Sequence, residues 1–342
     1  MGDPGFHVLH ATPKTVQWGY FDRSTPPVLT INSGDIVSVE SLTHHAGDAP
    51  DLIMDETVRA VYEAIDPSER GPGVHLVTGP IYVRGARPGD VLECRVLSLE
   101  PRIIYGSNFE ANWGLLYEEF GRTEHVVIWQ ADVRRGVARP VFQYAFPGKL
   151  EIPGTITMPG TVERLPALSQ MSVPLRMHLG TAGVAPNEDG RVSTIPPGNF
   201  GGNVDNRWFG PGTSMYYPVL NDGALFWCGD SHFAEGDGEI SGTAIEGHLN
   251  ATLQFIIHQD MSIHNPLLET PNAWMCHAFD RDLNEAMRKA ALEAIDFLVQ
   301  HEDLTRQEAY SLLSVAGDFH VTQVVDDLKG IHAVIRRDFR TR

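Results

Sequence analysis

Residues 36–42 read Ile-Val-Ser-Val-Glu-Ser-Leu and follow the turn Ser33-Gly34-Asp35. Residues 91–99 repeat this arrangement after Pro88-Gly89-Asp90. A turn followed by partial two-residue alternation predicts a half-buried strand in each place. Between them, the polar stretch 57–65 carries scattered Ala and Val and predicts one short helix. From 102 to 270 no helical period survives, and Pro and Gly break 153–159 and 183–197 every few residues. That region reads as short strands and loops. Helical periodicity returns late. Asp282 with Glu285, and Thr305 with Glu308, each have the spacing of a capping box. Leu283, Met287, Ala290, Ala291, Ala294 and Leu298 then recur at helical spacing, and a second helix is expected to run to Leu313. Strands near 320–325 and 332–335 close the chain.

The pattern predicts a mainly β fold. A β-sandwich or barrel-like core is expected over residues 1–275. A smaller C-terminal α+β part over 276–342 is expected to lay the apolar faces of its helices on a sheet.

Composition narrows the function classes. Of the 342 residues, 42% are hydrophobic and 20% charged, which excludes a disordered chain. The 33 Gly and 23 Pro fit the many turns. A net charge of -18 without any basic cluster argues against a nucleic-acid partner or an anionic membrane. Cys94, Cys228 and Cys276 are far apart and odd in number, so they make neither a disulfide framework nor a zinc knuckle. They point to a reducing, cytoplasmic compartment, and Cys228 and Cys276 read as core. The first seven residues lack the pattern of a secretory leader, and no apolar run is long enough to span a bilayer.

The densest polar segment is 229–239, Gly-Asp-Ser-His-Phe-Ala-Glu-Gly-Asp-Gly-Glu, placed after an apolar run. Asp230 and His232 lie two apart, so on an extended chain they share a side. One carboxylate and one imidazole suit zinc or another transition ion. Asp237 and Glu239 repeat the spacing with two carboxylates. A solvated acidic turn is the alternative. Upstream, 195–207 combines Pro-Pro-Gly and Gly-Gly with Asn199, Asn203, Asp205, Asn206 and Arg207. Asp205 is a further candidate ligand there, and a surface loop of ordinary turn formers is the competing reading. His44 and His45 at a strand end would point to opposite faces, leaving one of them for a given site. His248, His258 and His264 have no ligand spacing and receive no role. No GxSxG elbow is present.

These residues carry a resemblance. Gly79-Pro80-Ile81-Tyr82-Val83 with Pro88-Gly89-Asp90, and His178-Leu179-Gly180 with Gly183-Val184-Ala185-Pro186, resemble the acetamidase/formamidase family. The 196–206 and 229–239 loops and Gly242-Thr243-Ala244-Ile245-Glu246 are similar to its central motifs. Val315-Ala316-Gly317-Asp318-Phe319, Val321-Thr322-Gln323-Val324-Val325 and Lys329-Gly330-Ile331-His332-Ala333 are similar to its C-terminal ones. The resemblance spans residues 28 to 336. It implies a hydrolase of carbon–nitrogen bonds in linear amides other than peptides, with a sandwich-like core, divalent metals and homo-oligomers. Zinc is the expected ion, with calcium as a second, structural one. The sequence departs from the better-known formamidases at Thr43-His44-His45-Ala46-Gly47-Asp48, where an acidic segment ending in Gly-Gly-Gln would stand.

The roles expected on this basis are specific. Asp205, Asp230 and His232 form the metal set, with His178 and His44 in reserve. Glu239 is the general base and proton shuttle, with Glu246 as its backup. Asn199 and Asn203 orient the amide, with His44 beside them. Phe200, Trp208, Phe209, Phe233 and Trp113 stand near the polar loops, so a larger or aromatic amide is expected over formamide. Two other readings stay open at this point. One is a non-catalytic calcium-binding sandwich, against which His232 speaks because calcium prefers oxygen ligands. The other is an ester or lactone hydrolase on the same site.

Overall fold

The computed structural model describes residues 4–339; the reading of the first seven residues falls partly outside it. Two large sheets and one strand pair form among the described residues. The nine-stranded sheet runs Phe6–Leu9, Ile36–Ser41, Leu249–His258, Val91–Pro101, Ser214–Pro218, Leu267–Glu269, Ala273–Asp280, Lys329–Arg336, Asp318–Gln323. Two of its members, Ile36–Ser41 and Val91–Pro101, are the strands that alternation predicts. The long strand Leu249–His258 lies antiparallel between them.

The eleven-stranded sheet positions the site. Its centre is Phe226–His232, a strand buried along its whole length. His178–Gly183 pairs with it on one side and Glu246–Gly247 on the other. Leu76–Arg84 also pairs with it, antiparallel. Val77, Ile81, Leu179, Phe226 and Cys228 from this sheet share one core with Val37, Val39, Leu92, Cys94 and Leu253 from the other. The expected β-rich layered core is therefore present, and all three cysteines are buried and free.

The helices follow the pattern with one local difference. The short helix is Glu56–Ala64, capped by Asp55. The helix Leu283–Glu302 starts at Asp282, whose carboxylate accepts from the backbone N–H groups of Asn284 and Glu285. Glu285 does not complete that box; its carboxylate takes the Arg288 guanidinium at 2.9 Å instead. Thr305 and Glu308 do form the reciprocal box, opening Arg306–Ala316. Ala286, Ala290, Ala294 and Leu298 are buried on one seam, whereas Met287 faces outward at 39% exposure. Small side chains four apart let the helix approach the sheet closely. Ile295, Phe297 and Leu298 pack there with Val91, Leu267, Cys276 and Ile335. No helix among the described residues is long and apolar enough to cross a membrane.

Candidate active site

Three neighbouring strands bring three polar side chains into one row. His232 is opposite His178 on one side and opposite Glu246 on the other. Directly opposed residues on one face of a sheet meet side by side. His232 Nδ1 lies 3.0 Å from His178 Nε2, and His232 Nε2 lies 3.2 Å from Glu246 Oε1. Asp230, two residues back on the same strand, brings Oδ2 to 3.4 Å from His232 Nε2. Glu235 closes the row from behind, with Oε2 at 2.7 Å from His178 Nε2 and 3.2 Å from His232 Nδ1.

Loops add the remaining acids. Asp205 follows the strand Gly201–Asn203, and its N–H donates to the Gly180 carbonyl at 3.2 Å. Its Oδ1 stands 4.0 Å from His232 Nε2. Glu239 arrives on the turn after Gly238. That turn is stitched to the C-terminal strands by Gly238 N–H to Thr322 O at 2.9 Å and Val324 N–H to Gly238 O at 3.2 Å. The same stitching delivers Asp326, whose N–H donates to the Gln323 side chain. One ligand atom each from Asp205, His232 and Glu239 lies within 4.8 Å of the others, as does one each from Asp230, His232 and Glu246. A third such group joins His44, His75 and Asp230.

The backbone at this site is strained. Asp205, Asp230 and Glu239 have φ of 51°, 49° and 43°, in the left-handed region that side-chain-bearing residues rarely adopt. Three such residues converging in one place fit a functional site, where the surrounding fold sustains the cost. Gly180 makes room for it. A Cβ there would lie 2.5 Å from His232 Cε1 and 2.6 Å from Asp205 Oδ1. It would also lie 2.8 Å from the Asp230 carbonyl oxygen, so Gly180→Ala must displace these groups and is expected to weaken divalent-ion binding by about 10-fold or more, the range for a change beside the ligands. Titration of the purified variant with zinc, read by calorimetry, checks this.

Electrostatics separates the acids. Burial, then neighbouring Glu239 and Asp326, pushes the Asp205 carboxyl well up. Glu239 is raised well above its usual range by burial, then by Glu235 and Asp326. Burial raises Asp326 to about 8 and Glu246 to about 7. Asp230 goes the other way: burial would raise it, but His75 and His232 overcome that and hold it well below the usual range. Burial disfavours charged His232, yet Glu246 and Asp230 outweigh it and raise the imidazole. Among the described residues, both oxygens of Asp205, Oε1 of Glu235, Oε2 of Glu246, Oδ2 of Asp326 and Nε2 of His232 are buried without a hydrogen-bond partner. Buried carboxylates left unpaired are costly unless a proton or a cation neutralises them. The donor set, oxygen with imidazole, fits a transition ion.

Most of the residues singled out from the sequence meet here. Glu239, Glu246, Asn203, His44 and Asp230 line one cavity, together with His45, His75 and Asp326. Asp205 and His232 adjoin it. His178 has both ring nitrogens engaged, Nδ1 with Arg176 O at 2.7 Å, so it orients His232 from behind. Asn199 is exposed and does not line the cavity. Asp237 turns away from Glu239 and pairs with Arg207 at 2.8 Å. His248 is structural, bridging Thr43 N–H and Ile53 O.

Two expectations are corrected. His44 and His45 do not end a strand. They open the 3-10 turn His44–Asp48, so both rings reach the cavity, with centroids 4.1 Å apart. Of the five aromatics, only Trp113 lines the cavity. Phe200, Phe209 and Phe233 fill the core between the sheets, and Trp208 lies beneath the Arg176 guanidinium.

His75 and Asp326 are the residues that sequence reasoning missed, and of the His44 and His45 pair it assigned a role to His44 alone. The one local signal was the His45-x-x-Asp48 spacing. His45 Nδ1 lies 3.0 Å from Asp48 Oδ2, which also accepts from Ser107 Oγ at 2.5 Å. Burial lowers the His45 pKa, but Asp48 reverses this and raises it. His75 turns Nδ1 to Thr194 O at 3.1 Å and brings Nε2 to 3.7 Å from Asp230 Oδ2.

The acetamidase/formamidase family model matches residues 14–335. The chain belongs to that family. The formamidase of Methylophilus methylotrophus is 28% identical, over 88% of this chain and 83% of that protein. The acetamidase of Mycolicibacterium smegmatis is 26% identical, over 71% and 73%. Among solved structures, an acetamidase from Bacillus halodurans superposes with a TM-score of 0.75 at 28% identity, covering 96% of this chain and 97% of that one.

Proposed function

We propose that the protein hydrolyses the carbon–nitrogen bond of small linear amides at the buried Asp/Glu/His cluster. Family membership and the activities named for its relatives support amide hydrolysis. The observation that carries the site is the set of unpaired buried atoms on Asp205, His232, Glu246 and Asp326. Asp205, Asp230, His232 and Glu239 would hold a divalent ion, zinc by the chemistry of the set, and His44 with His75 would serve Asp230 from the other side. Such an ion supplies polarisation of the amide carbonyl and a lowered pKa for water.

The chain's own residues divide the proton work. Glu246, pushed up to about 7 by burial when no ion is bound, is placed beside His232 to take a proton from water. This reading exchanges the expected roles, Glu239 as base with Glu246 as its backup, because Glu239 is held well above its usual range while Glu246 is pushed only to about 7; each of them groups with His232 and an aspartate. Oxygen then bonds to the carbonyl carbon. His45, held by Asp48 and raised in pKa, gives a proton to the departing nitrogen as the carbon–nitrogen bond breaks. The products are a carboxylic acid and ammonia. Asn203, fixed by the Thr181 hydroxyl, offers a donor to the amide oxygen. The free buried thiols support a cytoplasmic setting, and exposed Leu115, Phe120 and Met158 support contact between copies.

The test is ammonia release from acetamide by the purified protein, with metal content measured in parallel. One or two divalent ions per chain are expected, and Asp230→Ala should lose both ion and turnover. Calcium alone with no turnover would favour a binding protein.

A further inference from the structure

The cavity is lined by the polar cluster and by an apolar wall of Val74, Trp113, Leu150, Pro153, Ile195 and Val325, all half-buried. These side chains come from separate stretches of the chain, so the wall is a product of the fold.

Trp113 is held in place. Its Nε1–H donates to Phe109 O at 3.3 Å, and its ring meets Phe109 edge-on at 5.5 Å. It occupies the space that a side chain at Gly242 would need: a Cβ there would lie 1.9 Å from Trp113 Cδ1. Gly242 has φ of 90°, so glycine is required twice over at this position. The cavity has a volume of about 90 Å³ and opens to solvent.

We infer that the substrate is a primary amide whose acyl group carries a phenyl-sized apolar substituent, which lies on the wall of Trp113, Leu150 and Ile195. The inference rests on the amidase reading and adds the substrate class to it. Formamide has no apolar group, and the one methyl of acetamide covers little of six side chains. A phenyl group removes both itself and the wall from water, and burial of apolar area is the main source of affinity for such a group. Because the wall adjoins the cluster, the substituent stays in contact while the amide group reaches the acids.

The experiment compares phenylacetamide with acetamide. For the wild-type protein, kcat/KM for phenylacetamide is expected to exceed that for acetamide by tenfold or more. Trp113→Ala and Leu150→Asn should each bring the ratio toward one, and the second variant covers the case in which the first fails to fold. Calorimetric titration of the Glu246→Gln protein measures binding without turnover, again with tenfold or tighter affinity expected for phenylacetamide. A ratio at or below one in both measurements overturns the inference while leaving the amidase reading standing. Preferential phenylacetamide binding without cleavage of either amide overturns the amidase reading and retains the wall as a binding site.

Discussion

Glu246→Gln is expected to lower kcat on acetamide by about 10²–10⁴-fold, the usual size of a general acid–base contribution. Glu246 stands in register beside His232 and receives the Ala244 N–H at Oε1, 2.9 Å away, leaving Oε2 unpaired. Glutamine preserves the Oε1 acceptor and the side-chain volume but cannot take up a proton. The variant should therefore fold normally and retain its ion. Glu239→Gln is expected to differ on the proposed ligand set, which includes Glu239 and not Glu246 although each groups with His232 and an aspartate: it should lose ion affinity first and turnover as a consequence. Steady-state rates with metal content on the same preparations separate the two. Normal turnover in Glu246→Gln would return the base to Glu239.

Removal of the ion by a chelator is expected to abolish turnover and to make stability fall as pH rises from 6.5 toward 8. In the ion-free protein, Asp205, Glu239, Glu246 and Asp326 are all raised, so they retain protons to higher pH than they do in the unfolded chain. Raised His232 and His45 act with the same sign. The folded state then binds more protons than the unfolded state, and stability decreases with pH by about 1.4 kcal/mol per pH unit for each proton of difference. The stabilisation is present at low pH and is lost as pH passes the folded values, about 7 for Glu246 and about 8 for Asp326. Below 6.5 the lowered imidazoles of His44, His75, His248, His277 and His332 oppose this trend, because the unfolded chain protonates them first. In the unfolded chain these imidazoles, and lowered His301 with them, are half protonated at pH 6.5 and neutral by about pH 8, so their opposition fades across this range and the carboxyls decide the slope toward pH 8. A bound cation replaces the protons, and the loaded protein should lack the fall. Thermal melts of chelated and zinc-loaded protein at several pH values measure this; a chelated protein whose Tm rises between pH 6.5 and 8 would contradict the arrangement.

What was legible in the sequence was what depends on near neighbours along the chain. Alternation after a turn marked Ile36–Ser41 and Val91–Pro101, and caps marked the starts of Leu283–Glu302 and Arg306–Ala316. The two-residue spacing of Asp230 and His232 placed both on one side of one strand, and their side chains do meet. The motif resemblance reached the family that residues 14–335 match. Local pattern misplaced His44 and His45, because Thr43 caps a 3-10 turn there and carries both rings to one face.

The tertiary structure decided the rest. Which residue stands beside His232 is a matter of strand order and register, and a one-residue slip would replace Glu246 by a neighbour facing the other way. His75 and Asp326 enter the site because Leu76–Arg84 pairs with Phe226–His232 and because the C-terminal strands are stitched to Gly238. No periodicity encodes these long-range pairings. The same holds for the acidities: the carboxyls differ from one another through burial and through neighbours that only the assembled sheet supplies. It holds for the aromatics too, since composition counts them alike and packing sends Phe200, Phe209 and Phe233 to the core and Trp113 to the cavity.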